Sequence, residues 1–502
     1  SFGDHTISST LIGTRQQTLN TDGSTLQTSL PYRNLGLAGR ATYSYLSRYF
    51  LEFNFGYNGS ERFSSNNRFG FFPTIGASWV MSNEKMWEGL RDVVTRAKIR
   101  ASHGLVGNDA IGQQRFFYMS EVNMNSGYGA TFGRNNAYSR NGVSIINYDN
   151  RDVTWETSHQ TNIGLELSFF DKLNFIGEIY RQRRTNILQE RTSIPSTSGL
   201  EAGISANIGE AVSEGIDLSL DYKQNFGKDA WAAVRGNLTF ATNEFKQFEE
   251  PKFNEPWRSR IGNSINQVYG FIAERLFVDD AEVANSPRQN FNGFVTRGGD
   301  IKYRDVNGDG QITERDMVPI GMPTAPELVY GAGFSVGYKQ FDLSAFFQGL
   351  GRESFFIDVS DVDRASGAYL ESTMPFVANA QILKAYAENH WSEENQNIYA
   401  MMPRLSHTHN YNSAPSPSQG VTIPNTWFMR NGAFLRLKSV EAGYTVPRHI
   451  TKRWHIENLR IYFNGLNLHT WSAFKLWDPE MAGKGLSYPV QKVFNFGINV
   501  NL

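Results

Sequence analysis

The last nine residues, Phe494, Asn495, Phe496, Gly497, Ile498, Asn499, Val500, Asn501 and Leu502, alternate large apolar side chains with small or polar ones without a break. Successive side chains of a strand point to opposite faces, so this segment makes one apolar face and one wet face. A strand of a soluble sandwich alternates too. Here the sequence stops on the strand itself, with no polar tail, and the arrangement recurs upstream in hairpins. That combination is the pattern of a transmembrane β-barrel.

Three hairpins carry the argument. Tyr330, Ala332, Phe334, Val336 and Tyr338 share one face, Lys339 and Gln340 make the turn, and Phe341, Leu343, Ala345 and Phe347 continue on that face. Pairing Tyr338 with Phe341 sets every apolar residue opposite another, and it leaves Gly333, Ser335 and Gly337 across from Phe346, Ser344 and Asp342. A mostly small or polar face of this kind suits a lumen. Around Leu46-Ser47-Arg48, residues Leu37, Ala41, Tyr43 and Tyr45 fall opposite Tyr57, Phe53, Leu51 and Tyr49, with Arg40 and Thr42 opposite Asn54 and Glu52. Ile163, Leu165, Leu167 and Phe169 face Ile179, Phe175 and Leu173 in the same manner. Aromatics crowd the turn ends, as an interfacial girdle requires.

Composition agrees. The 502 residues include 46 Gly and 14% Phe, Trp and Tyr but only 17 Pro, which suits extended strands better than packed helices. No run approaches the roughly 20 apolar residues of a spanning helix, so any membrane crossing is by strands. A net charge of −1 gives no basic footprint for nucleic acid. The absence of cysteine rules out disulfides and thiolate metal sites. No signal peptide is legible at Ser1, so the expectation is either a trimmed mature chain or a segment of a larger protein.

About fourteen strands are expected, near 5–16, 37–45, 49–57, 71–81, 97–106, 162–169, 173–182, 215–222, 231–241, 328–338, 341–349, 433–446, 459–470 and 493–502. Short turns (46–48, 82–96, 170–172, 223–229, 339–340, 447–458) alternate with long segments (107–161, 183–214, 242–327, 350–432). A short helix is expected near Asn83–Glu88. In such barrels the short turns are periplasmic and the long loops extracellular, and loops this long are expected to be folded, functional surface.

The chain resembles the C-terminal part of the SusC/RagA-like TonB-dependent outer-membrane transporters. The matching segments run from Leu30-Pro31-Tyr32-Arg33-Asn34 through Arg68-Phe69-Gly70-Phe71-Phe72-Pro73, Gly299 to Gly310, Phe434-Leu435-Arg436-Leu437-Lys438 and Gly443-Tyr444-Thr445-Val446-Pro447 to Leu459 to Leu468. Their order and spacing are the specific feature. The resemblance implies an all-β, antiparallel transmembrane barrel of about 22 strands, of which residues 1–502 supply the last fourteen or so. It also implies an N-terminal plug and TonB-contacting region outside this chain, and a surface lipoprotein lid of the SusD type. The implied setting is the outer membrane of a Gram-negative bacterium, among its lipids, with energy-dependent import of an oligosaccharide or peptide. The closing Leu502 departs from the aromatic residue that often ends such barrels.

Asp305-Val306-Asn307-Gly308-Asp309-Gly310-Gln311-Ile312-Thr313-Glu314-Arg315-Asp316 has calcium-loop spacing. Oxygen side chains stand at positions one, three and five, Gly at six, a backbone carbonyl (Gln311) at seven and a carboxylate (Asp316) at twelve. No flanking helix pair is evident, so the expected site is a solitary structural Ca²⁺ loop using Asp305, Asn307, Asp309, Gln311 and Asp316. The competing reading is a Gly-rich turn whose carboxylates cap local amides. Trp391, Trp427, Trp471 and Trp477, with Trp257, Tyr399 and Tyr411, are candidates to stack on a substrate, against loop packing or a lid interface as the plainer explanation. His449, His455 and His469 show no metal-ligand spacing, and neither HExxH nor GxSxG occurs. The rival function class is a secreted, calcium-binding all-β lectin or glycan-degrading enzyme, which would present polar residues on the sheet face exposed to water.

Overall fold

In a computed structural model, fourteen strands pair in chain order in one sheet. They are β1 (His5–Thr18), β2 (Tyr32–Tyr45), β3 (Tyr49–Ser60), β4 (Phe69–Val80), β5 (Val94–Asn108), β6 (Glu156–Phe169), β7 (Leu173–Glu190), β8 (Ser205–Phe226), β9 (Ala230–Gln247), β10 (Leu328–Tyr338), β11 (Phe341–Gly351), β12 (Phe434–Thr445), β13 (Asn458–Ser472) and β14 (Val493–Asn501). The structure describes residues 2–501 apart from 21–25, 113, 290, 292–294, 358–359, 363–368, 373–382, 406–423, 484 and 486–487. Tyr411 and Leu502 lie outside the described residues.

The chain packs as two units. The first comprises Ser1–Leu218, Ala241–Lys252 and Arg260–Gly262, and the second Ser219–Phe240, Phe253–Ser259 and Asn263–Leu502.

In the first unit the expected registers are found. Tyr45 pairs with Tyr49, Tyr43 with Leu51, Ala41 with Phe53 and Leu37 with Tyr57. Phe169 pairs with Leu173, Leu167 with Phe175 and Ile163 with Ile179. Most apolar members of these pairs are exposed and the rest half-buried: Leu51 is 48% and Ile163 47% accessible. A two-residue period that turns its apolar side outward is the reverse of a water-soluble sandwich, and it is stable only against lipid. Leu46 and Ser47 both hold φ at 52°, the left-handed turn that reverses the first hairpin without a glycine. The expected helix near Asn83–Glu88 is two 3₁₀ turns, Met81–Asn83 and Lys85–Leu90.

The expected 183–214 loop is shorter than the sequence suggested. β7 has 18 residues and β8 has 22, whereas about 9–11 cross a bilayer. Most of the expected 183–214 loop is therefore strand, and only 191–204 connects. The extensions mix polar residues with Ile187, Leu188, Ile208 and Val212 and carry cross-strand ion pairs, among them a bidentate Arg183–Glu210 pair at 2.7 and 2.8 Å. They lack the apolar alternation that marks a spanning strand. Within 107–161 lies an extra antiparallel hairpin, Glu121–Phe132 with Tyr138–Asn147. Beside it Phe63, Ile111, Phe117, Val153 and Trp155 form a small buried core.

In the second unit Tyr338 pairs with Phe341, Val336 with Leu343 and Phe334 with Ala345, which leaves Gly333, Ser335 and Gly337 opposite Phe346, Ser344 and Asp342. Register shifts interrupt β11–β12 between Phe346 and Phe347, and β12–β13 between Leu437 and Ser439. The long segments fold into a body of short strands around a buried core that includes Leu276, Ile301, Ile312, Ile357, Tyr386 and Phe428.

Candidate functional site

The polar face of the strands carries ordered charge. In the first unit Arg40 on β2 donates to Glu52 on β3 (2.8 Å), and Asn54 donates to the other carboxylate oxygen (2.9 Å). Arg96, Lys98 and Arg100 occupy alternate positions of β5. Arg96 and Lys98 reach Glu166 on β6 at 3.1 and 3.4 Å, and Arg100 bonds Glu178 on β7, which also accepts from Asn162 (2.8 Å). In the second unit Arg460 on β13 bridges Asp342 on β11 and Glu441 on β12, and Asn464 donates to Glu441 (3.3 Å). Charges in contact with lipid are costly, so in each unit the charged face is a wet one and the opposite face meets lipid. The sequence showed Arg40, Thr42, Glu52 and Asn54 on that face. The other charges had a legible signal in the alternation Arg96-Ala97-Lys98-Ile99-Arg100, but their partners lie one or two strands away.

The Asp305–Asp316 loop belongs to the second unit. Asp305 accepts from the Gly308 and Gly310 N–H groups (2.7 and 2.8 Å), and Asn307 from the Asp309 N–H (2.9 Å). Asp309 accepts from the Gln311 N–H (2.9 Å) and the Asn307 amide (3.1 Å). Gly308 and Gly310 have φ of 74° and 80°, which is what the turn demands of glycine. Asp316 is buried and closes the loop. One of its oxygens accepts from the Val306 and Asn307 N–H groups (2.9 and 3.3 Å), the other from the Thr313 N–H (2.8 Å). The carboxylates thus solvate backbone amides of their own loop, and among the described residues no three His, Asp or Glu side chains converge as a metal-holding group. Asp305, Asn307, Asp309 and Gln311 are the partly or fully exposed members of the set.

The candidate tryptophans range from the buried Trp391 to the exposed Trp471. Trp391 is 6% accessible within the core of the loop body. Trp427 packs against the same core and donates its Nε1–H to the Met401 carbonyl (3.0 Å), and Trp477 donates to Ala482 (2.7 Å) and meets Phe474 edge-on. Trp257 donates to the Arg315 carbonyl (2.9 Å). Trp471, on β13, lies against Phe347 and His469. Tyr399 is exposed.

The loop body contains an acid-sensitive clasp. Arg275 grips Glu282, and with the Val278 N–H and Lys302 it holds that carboxyl down to about 2. A carboxyl whose pKa is lowered on folding stabilises the folded form above its ordinary value and loses that contribution as pH falls through the lowered one. Acidification from about 4.5 to about 2 is therefore expected to loosen the 275–302 region. Glu282→Gln should flatten that pH dependence in hydrogen exchange of the 275–302 peptides.

With the geometry in view, comparisons with known proteins place the chain. The model of the family described as TonB dependent receptor-like, β-barrel matches residues 4–468. TonB-dependent receptor P3 of Formosa agariphila is 27% identical over 495 residues, covering 92% of this chain and 45% of the relative. TonB-dependent receptor SusC of Bacteroides thetaiotaomicron is 24% identical over 487 residues, covering 95% and 44%. A solved structure of the RagAB peptide transporter superposes with a TM-score of 0.68 at 20% identity, over 99% of this chain and 53% of that one. The chain spans about half the length of the curated relatives it matches. It belongs to the TonB-dependent receptor-like β-barrel family, as part of an outer-membrane protein of a Gram-negative bacterium.

Proposed function

We propose that the protein containing this chain is an active importer of oligosaccharides or peptides, energised by TonB through its N-terminal region and capped by a SusD-like surface lipoprotein, with residues 1–502 forming wall and outer loops. The observation that carries this reading is the two-faced strand set, apolar outward and laced on the other face by the Arg40–Glu52, Arg100–Glu178 and Arg460–Asp342 contacts. A secreted lectin or glycan-degrading enzyme would have no use for the exposed apolar face. The named relatives, SusC and the RagAB peptide transporter, support transport and leave both substrate classes open. The test is uptake of fluorescent oligosaccharides and peptides by cells carrying the full-length receptor. One class should enter, uptake should cease without TonB, and residues 1–502 alone should give none. Uptake unaffected by loss of TonB, or release of the protein by high salt without detergent, would overturn the proposal.

We also propose calcium as a ligand of the Asp305–Asp316 loop, on the spacing of its oxygens and the accessibility of Asp305, Asn307, Asp309 and Gln311. Extracellular calcium modules bind in about the 10⁻⁴–10⁻³ M range, so millimolar calcium should slow proteolysis within residues 295–320, and Asp305→Ala with Asp309→Ala should abolish that protection. If calcium leaves wild-type cleavage unchanged, the loop is held by its amide caps alone.

A further inference from the structure

We propose that the lipid-facing side of β2–β5 carries a specific lipid site, a groove over Ala77 and Ala101 that seats one acyl chain of a periplasmic-leaflet phospholipid. Two rows of paired residues cross these strands. One runs Tyr45, Tyr49, Trp79, Ile99, with large side chains throughout. The next runs Tyr43, Leu51, Ala77, Ala101, so two adjacent strands present a methyl group where their neighbours present a ring or an isobutyl group. The result is a cleft of about 470 Å³, within the roughly 300–1,000 Å³ range of small-molecule sites, with Tyr43, Leu51, Trp79 and Ile99 in its walls. It is part of the same outward face that meets the hydrocarbon, so its occupant has to be apolar.

The wall nearest the turn is held in place. Trp79 donates its Nε1–H to Glu84 (3.2 Å), Glu84 is in turn held by Arg48 (3.3 Å), and the Trp79 ring lies nearly parallel to that of Tyr49 at 6.4 Å. A wall fixed before the ligand arrives costs little ordering on binding, which separates a seat from a passing dent. The tether also marks the leaflet. Arg48 and Glu84 lie in the two short connections at this end, the periplasmic end of such a barrel. The exposed Lys85 beside Glu84 gives that rim a cation at headgroup level. Phospholipid, not lipopolysaccharide, is the lipid to be expected there.

The test places the full-length receptor in nanodiscs doped with phosphatidylethanolamine carrying a mid-chain diazirine or, separately, with a diazirine-labelled lipid A. Cross-linked peptides are then mapped by mass spectrometry. Cross-links from the phospholipid should concentrate on Tyr49, Trp79 and Ile99. Ala77→Leu with Ala101→Leu fills the groove and denies the chain about two methylenes of contact, so labelling there should fall about tenfold. Val336→Leu, on the apolar face of β10, should leave it unchanged. If the double variant does not assemble, Ala101→Val alone should lower labelling about fourfold, as expected for one methylene. Even labelling across the face, labelling insensitive to these substitutions, preferential labelling by lipid A, or protein-to-protein cross-links at Trp79 in its place would each overturn the proposal.

Discussion

Replacing Leu218 by Arg is expected to destabilise the assembled barrel by about 2–4 kcal/mol, the cost of a guanidinium on the lipid face near the bilayer midplane. Leu218 is 37% accessible and stands eight residues from the Phe226 end of β8. Leu343 is also outward, paired with Val336 and Ala442, but lies only two residues above the turn-end Phe341. Leu343→Arg should therefore cost less, about 2 kcal/mol, because the penalty falls towards the interface. Ser344→Arg, one residue on, points the other way and lies opposite Ser335 and Glu441, where a carboxylate and water can receive it. It should assemble normally. The readout is the fraction of heat-modifiable barrel recovered from outer membranes, and equal yields for Leu218→Arg and wild type would contradict the facing.

The second large effect concerns a buried cation whose partners lie far along the chain. Arg436 is fully buried on β12, donates to Thr470 on β13 (3.1 Å), and pairs with Asp478 and Glu480 of the following connection. Removing one partner of a buried pair leaves charge uncompensated, at about 3–5 kcal/mol. Glu480 stays partly in water, so Arg436→Ala should fall at the low end, about 3 kcal/mol. The loss should be read as faster hydrogen exchange of residues 473–482 with the sheet unchanged. Arg436→Met combined with Asp478→Asn and Glu480→Gln removes the whole cluster, and should recover most of that protection.

The facing of these strands was legible because a two-residue period is local. Once Tyr338 is set against Phe341, or Tyr45 against Tyr49, every further pair follows, and the observed registers agree. What lay hidden depended on distance or on a broken period. The Arg100–Glu178 contact joins residues 78 positions apart, and Arg460–Asp342 joins residues 118 apart. The shifts at Phe346/Phe347 and Leu437/Ser439 change which side chains share a face, so the outlook of Trp471 could not be counted from Phe463. The long segments were recognisable as folded from their length. Which of their aromatics would be buried was not, because Trp391, Trp427 and Trp477 join a core built from several separate stretches of chain.

The central claim is that one face of these strands meets lipid and the other water, and the absence of native cysteine makes it directly measurable. Single cysteines placed in turn from 330 to 338 and from 341 to 347 in the full-length receptor would be labelled with a membrane-impermeant maleimide and, separately, probed with a lipid-dissolved spin quencher. The account predicts quenching at 330, 332, 334, 336, 338, 341, 343, 345 and 347, and maleimide labelling at 333, 335, 337, 342 and 344, following the observed pairing. Maleimide labelling of both sets alike, with no lipid-phase quenching at 334, 336 or 343, would contradict it.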